Sequence, residues 1–230
     1  MNLFQARERE IFETLRQLKG CDFALIGGYA VNAYTLPRFS VDCDIVLKDG
    51  AQAENIGKIL TSLGYVKEKN NVAVPYKGDF ARYEKELEKG IKVSVDILLG
   101  AVVDRQSGVS FSAEWVFKNS HTRPLRGKTI AEQVSVKIID VEALIILKFV
   151  PARVTDIRDI FMLLPLAKNR EAIKRALASL VDFPSQFEKI REKIVSDAFR
   201  NNLQGVYGLV DGRQFERHKN AFLEFGQESS

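Results

Sequence analysis

Apolar residues recur at helical spacing in the first eighteen positions, where Leu3, Phe4, Ile11, Leu15 and Leu18 alternate with charged neighbours. This predicts an amphipathic helix over residues 2–19, closed by Gly20. The continuous run "DFALIGG" then reads as a buried strand entering a glycine turn, and "YAVNAYTL" as a short helix stopped by Pro37. "SVDCDIVL" alternates as a strand does, and "AQAENIGKILTSLGY" predicts a helix ending at Gly64. "FARYEKEL" and "IKVSVDILLG" predict two further strands about the turn signal "EKG". Between residues 100 and 140 the pattern weakens. "GAVVDRQSGVSF" reads as a loop, "AEWVFKNS" as a strand, "TRPLRGKTI" as a turn and strand, and "VSVKIID" as a strand.

From Val141 the period changes to helical through "VEALIILKFV", "RDIFMLLPLA", "REAIKRALASL", "PSQFEKIREKIVSDAFRNN" and "GRQFERHKNAFLEF", leaving "GQESS" as a frayed tail. The expected class is α+β: a small mixed-sheet core flanked by helices over residues 1–140, then a helical half over 141–230, with a cleft between them.

Composition narrows the function class without choosing one. With 46% apolar and 28% charged residues the chain is an ordinary globular one, and no apolar run is long enough to span a bilayer. The amino terminus has no apolar signal core, so a cytoplasmic location and no membrane association are expected. Cys21 and Cys43 are too few for a disulfide framework and match no zinc spacing, which predicts two reduced, buried, structural thiols. A net charge of +4 leans only weakly towards a polyanionic partner, because 30 acids offset 34 bases.

The chemistry concentrates in "ALIGGYAVNAYTLPRFSVDCDIVLKDG". Residues two apart in a strand point the same way, so Asp42 and Asp44 share one face and Val41, Cys43 and Ile45 the other. Two carboxylates side by side repel unless something positive meets them, and strands are depleted in Asp. A solvated edge strand is the bland alternative. Asp96 projects from "IKVSVDILLG" in the same way, and if the two strands are neighbours, three carboxylates meet. Oxygen ligands of that kind favour Mg²⁺ or Mn²⁺. Gly27 and Gly28, between a strand and a helix, would let backbone amides approach a phosphate chain.

"IGGYAVNAY", "RFSVDCDIVL" and "VSVDILLG" together resemble the nucleotidyltransferase superfamily related to DNA polymerase β. The small AbiEii-like nucleotidyltransferases, many of them toxins of toxin–antitoxin pairs, are the most similar subgroup. Arg38 and Ser40 match the Arg and Ser/Thr that precede its Asp-x-Asp strand, and "LKFVPARVTDIRDIFMLL" offers Lys148, Arg153, Asp156 and Asp159 at its later motif. The usual Lys-Asp dipeptide is here Thr155-Asp156, so one basic contact is missing or comes from Arg153 or Arg158. The likeness extends over residues 20 to about 165.

The resemblance implies transfer of a nucleoside monophosphate from a nucleoside triphosphate, ATP being one choice, to an acceptor hydroxyl on transfer RNA or other RNA, a protein or a small molecule. Asp42 and Asp44 would bind Mg²⁺ or Mn²⁺ and the phosphates. Asp96 would share a metal and help deprotonate the acceptor. Gly27, Gly28 and Ser40 would cradle the triphosphate, with Lys148 and Arg38 neutralising it. An antitoxin protein is the implied partner. Two other readings compete: a non-catalytic member that only binds nucleotide or a partner, and an RNA-binding module. The second draws on "NSHTRPLRGK", with His121, Arg123, Arg126 and Lys128, although a solvated turn explains that segment as well. Arg82 and Tyr83 in "FARYEKEL" could stack on a base, but a plain exposed strand is the simpler reading.

Overall fold

The computed structural model describes residues 3–68, 79–208 and 210–227. The described residues fall into two compact units, those within Met1–Ala33 and Pro37–Asp140 and those within Tyr34–Leu36 and Val141–Ser230.

The first unit is built on a seven-stranded mixed sheet with a separate two-stranded hairpin. In chain order its elements are helix α1 (Leu3–Gln17), strand β1 (Ala24–Leu25), α2 (Gly27–Asn32), β2 (Asp42–Leu47), α3 (Gly50–Ser62), β3 (Val66–Lys67) and β4 (Asp79–Glu86). There follow β5 (Lys92–Leu99), β6 (Ala101–Val103), β7 (Ser110–Ser112), α4 (Ala113–Lys118), β8 (Ser120–Arg126) and β9 (Gln133–Ile139). The sheet order is β3-β4-β5-β2-β1-β9-β8. Strand β2 lies parallel to β5, with Asp42 opposite Ser94 and Asp44 opposite Asp96. Strand β4 lies antiparallel to β5, with Arg82 opposite Asp96.

Alternation gives the sheet two faces. Cys43, Val95 and Tyr83 occupy one, and they are buried. Tyr83 meets Gly57 of α3, where an added Cβ would stand 2.4 Å from the phenol oxygen. Lys85 pairs with Glu10 of α1 at 2.8 Å. Helices α1 and α3 therefore cover this face; α1 buries Ile11, Phe12 and Leu15 completely or nearly so, and Leu18 just beyond it is buried too. The carboxyl of Glu8, itself buried, accepts from the backbone N–H of Lys128 and from both the N–H and hydroxyl of Thr129. Those bonds tie α1 to the turn between β8 and β9. The opposite face of β4, β5 and β2 carries Arg82, Asp96, Ser94, Asp42 and Asp44.

Several local expectations change. Helix α2 starts at the glycine pair itself rather than at Tyr29. Val41 lies outside β2 and is exposed, so only Cys43 and Ile45 of the expected trio reach the core. The predicted loop after residue 100 holds the β6/β7 hairpin, whose turn is fixed by Asp104: its carboxylate accepts from the Ser107 N–H at 2.8 Å and hydroxyl at 2.7 Å. The predicted strand "AEWVFKNS" is α4, because Ser112 accepts from the Trp115 N–H and caps a helix there. Of the two thiols, Cys43 is buried but Cys21 is partly exposed.

The second unit is helical: α5 (Val141–Phe149), α6 (Val154–Leu163), a 3₁₀ turn at Leu164–Leu166, α7 (Arg170–Ala178), α8 (Phe183–Ile194), α9 (Asp197–Tyr207) and α10 (Gly212–Gly226). Helix α5 is apolar nearly all round, and burial extends to seven of its nine residues, which marks it as the central helix. Phe161 packs on Phe199 and Phe215, and Phe187 stacks on Phe222 with centroids 4.8 Å apart. The predicted single helix over 184–202 is two, since the Ser196 hydroxyl donates back to the Lys193 carbonyl and ends the first of them. Of the predicted tail, residues 228–230 lie outside the described residues. Among the described residues, no helix is long and apolar enough to cross a membrane.

Candidate functional site

The glycine pair and the Asp-x-Asp strand are fitted to one another atom by atom. Gly27 has φ +66°, and a Cβ there would lie 1.9 Å from Oδ2 of Asp44. No other residue fits that turn without displacing the carboxylate. At Gly28 a Cβ would lie 2.3 Å from the Ser40 hydroxyl and 3.1 Å from Nη2 of Arg38. Each glycine is thus pressed against one of the polar residues that sequence had singled out separately.

The loop that carries Arg38 and Ser40 is held by a residue the sequence did not flag. Asn32, buried at the end of α2, donates its amide to the Arg38 carbonyl at 2.8 Å and accepts from the Arg38 N–H at 2.9 Å. This two-way bond mimics a strand pair and fixes the backbone before β2. Ser40 donates to the Asp42 carbonyl at 3.2 Å, and Phe39 stacks on Phe4 at 4.1 Å between centroids.

On β2 and β5, Asp42, Asp44 and Asp96 point to the same face. Their adjacency rests on the parallel register, in which Asp44 faces Asp96 directly. The Ser94 hydroxyl donates to Oδ1 of Asp42 at 2.6 Å. Burial pushes the Asp96 carboxyl above its usual range, and Arg82 opposes the shift. The Arg82 guanidinium grips Asp96 with both branches: Nε to Oδ1 at 2.8 Å and Nη2 to Oδ2 at 2.6 Å. The same Nη2 stands 3.6 Å from Oδ1 of Asp42. The expectation that "ARY" is a plain exposed strand is therefore corrected, for Arg82 is built into the acidic row and Tyr83 is buried. Ser94 is a same-face neighbour of Asp96 by alternation along one strand, whereas Arg82 becomes one only when β4 is laid against β5.

Whether these residues suit a divalent ion can be judged from their chemistry. Carboxylate oxygens on one open face are the donors Mg²⁺ or Mn²⁺ takes, and Asp42 keeps 42% of its side chain exposed. Yet among the described residues no three His, Cys, Asp or Glu side chains stand as a ready-made ligand set. Arg82 occupies both oxygens of Asp96 in this arrangement.

Lys148, Asp156 and Asp159 lie in the second unit, so the site assembled here is drawn from the first unit alone. The Lys148 ammonium, almost fully buried, is 2.7 Å from Oδ2 of Asp159 and 3.3 Å from Oδ1 of Asp156. Asp159, completely buried, also accepts from the Tyr207 hydroxyl at 2.6 Å. Asp156 further accepts from the Arg153 N–H at the start of α6. Ala152, just before, adopts a left-handed φ of 42°. His121 and Arg123 of the basic segment both bind Asp140, at 2.8 and 3.0 Å.

Among solved structures, JHP933 from Helicobacter pylori superposes with a TM-score of 0.57 at 14% identity, covering 98% of this chain and 93% of that one. A candidate nucleotidyltransferase from H. pylori gives a TM-score of 0.47 at 13% identity, over 98% and 92% of the two chains. No protein of curated function matches. Residues 11–228 match the model of one family almost from end to end, and the chain belongs to that family, the nucleotidyl transferase AbiEii toxins of type IV toxin–antitoxin systems.

Proposed function

We propose that this protein transfers a nucleoside monophosphate from a nucleoside triphosphate to an acceptor hydroxyl, and that the transfer takes place on the acidic face of β2 and β5. What supports the reading is one arrangement: Asp42 and Asp44 on a single face, Asp96 in register beside them, and a glycine turn pressed onto Asp44. In the proposed reaction the acceptor oxygen forms a bond to the α-phosphorus. The bond from that phosphorus to the bridging oxygen of the β-phosphate breaks, and pyrophosphate leaves. The hydroxyl proton passes to Asp96 or to water beside it.

Asp42 and Asp44 would hold Mg²⁺ or Mn²⁺, which when bound would neutralise charge on the phosphates. Gly27 and Gly28 allow the triphosphate to approach the backbone closely, Ser40 contributes a hydroxyl, and Arg38 a positive charge. Asn32 keeps those two residues over Gly28. The acceptor class we propose is RNA, a protein or a small molecule, and the proposed partner is an antitoxin protein.

The decisive experiment incubates the purified chain with radiolabelled nucleoside triphosphates, Mg²⁺ and total RNA or cell protein. Label transfer is expected, and Asp42→Ala or Asp44→Ala should reduce it on the order of 100-fold or more. Absence of transfer from all four triphosphates to either pool would count against the enzyme. Transfer that survives both substitutions would place the chemistry elsewhere.

A further inference from the structure

Arg82 sits among the acids where a positive ion would otherwise be needed. Its strand position is set by the β4/β5 pairing opposite Asp96, so it faces the row by register and not by side-chain accident. It engages both oxygens of Asp96 and leans one nitrogen towards Asp42. Glu68, whose N–H donates to the Arg82 carbonyl at 2.9 Å, adds a further negative charge nearby. One guanidinium thus serves two carboxylates of the row, on a face where Asp42 is open to solvent.

We infer that Arg82 is an internal counter-ion that competes with the divalent cation for this row. The inference rests on the proposed metal-dependent reading of the site. Without the ion, Arg82 draws Asp96 and Asp42 together and relieves their repulsion. With it, the guanidinium gives up Asp42 and at least one oxygen of Asp96, since the same lone pairs cannot serve both. Arginine suits such a task because its planar fork holds two oxygens at once and its charge is never lost by deprotonation. Its side chain is about one-third exposed, so it has water to retreat into.

The competition predicts an unusual sign: removing a charge contact should strengthen ion binding. Mn²⁺ binding to the full chain, measured by calorimetry or by the loss of free-ion paramagnetic resonance, should be about tenfold tighter in Arg82→Met than in the unchanged protein. Arg82→Lys, which keeps the charge but holds only one oxygen, should fall between. Without divalent ion Arg82→Met should melt earlier, and Mn²⁺ should raise its Tm by more than it raises that of the parent. Adding Asp42→Asn should abolish the gain. If Mn²⁺ binds the parent, is lost on Asp42→Asn, and is unchanged or weaker in both Arg82 variants, the competition is wrong while the metal-binding reading stands. If Mn²⁺ binds neither the parent nor the variants, the metal reading fails and this inference with it.

Discussion

Two groups of charged side chains, one in each unit, use the same residue types to opposite ends. In the second unit, Lys148, Asp156, Asp159 and Tyr207 form a closed set with Asp159 fully out of water. In the first unit, Asp42, Asp44, Asp96 and Arg82 line a face of the sheet, with Asp42 and Arg82 both open to solvent. The buried set has positive and negative groups in tight contact and hydroxyl support. The open set keeps Asp42 and Arg82 partly in water. A buried group of charges must be satisfied from within, whereas an open one can stay unbalanced and wait for a ligand. Access to water, rather than the presence of charge, is what separates the candidate site from the structural cluster.

That distinction has its largest consequence in stability. Lys148→Met takes the ammonium away from the fully buried Asp159, and is expected to cost about 3–5 kcal/mol. Asp159→Asn should also be costly, and the two together should cost less than their sum, because the second change removes a charge the first left unpaired. Asp42→Asn, on the open face, should stay within about 1 kcal/mol of the parent. Urea unfolding of the parent and the four variants would measure all of this. Equal losses for Lys148→Met and Asp42→Asn would erase the contrast.

How far the sequence carried the same distinction depends on whether local or long-range order was needed. The Asp-x-Asp alternation, the glycine pair and the helical half are local patterns, and they placed Gly27, Gly28, Asp42 and Asp44 correctly relative to one another. The partnership of Asp96 with Asp44 spans fifty residues, and nothing local states which strands pair or in which register. Arg82 was misjudged for that reason: an Arg on an amphipathic strand has no visible partner until β4 is laid against β5. Asn32 was missed because its function is a backbone clamp on a loop, which leaves no periodic trace. Ser112 and Ser196 mark a helix start and a helix break through hydroxyl bonds that hydrophobic periodicity does not register. Lys148 illustrates the reverse error of emphasis, since a lysine at a motif position does not disclose that two carboxylates already hold it.

The fit of the glycine turn to Asp44 can be separated from the strain of its backbone by a paired substitution. Gly20 (φ +102°) and Gly27 (φ +66°) both adopt left-handed conformations, but a Cβ at Gly20 would meet nothing within 4 Å. Each change to Ala is expected to cost about 1–2 kcal/mol from backbone strain. Gly27→Ala must in addition push Asp44 aside, so nucleotide transfer should fall about tenfold or more, while Gly20→Ala keeps it. Thermal unfolding and the label-transfer assay read the two effects independently. A Gly27→Ala protein as active as Gly20→Ala would mean that the position of Asp44 is immaterial.

The smallest effect concerns the closed interior of the second unit. His218 is buried on α10, with its Nδ1–H donating to the Phe161 carbonyl at 3.1 Å and its ring 5.5 Å from that of Phe161. Burial holds its pKa below the ordinary 6.5, with the Phe161 carbonyl opposing and Arg217 reinforcing the shift. The unfolded chain therefore takes up the proton first as pH falls. Stability from this residue is complete above about pH 7 and declines as pH drops through 6.5 towards the folded value, by at most about 1.4 kcal/mol per pH unit for one proton. Urea unfolding at pH 7.5, 6.5 and 5.5 should show a shallower loss in His218→Gln than in the parent. The acidic face of the first unit stands in water, which can solvate an added positive charge where the helical interior cannot. Parallel slopes for parent and His218→Gln would show that the helical interior accepts a charge as readily as the open sheet face does, and the contrast between closed and waiting charge would then lose its physical basis.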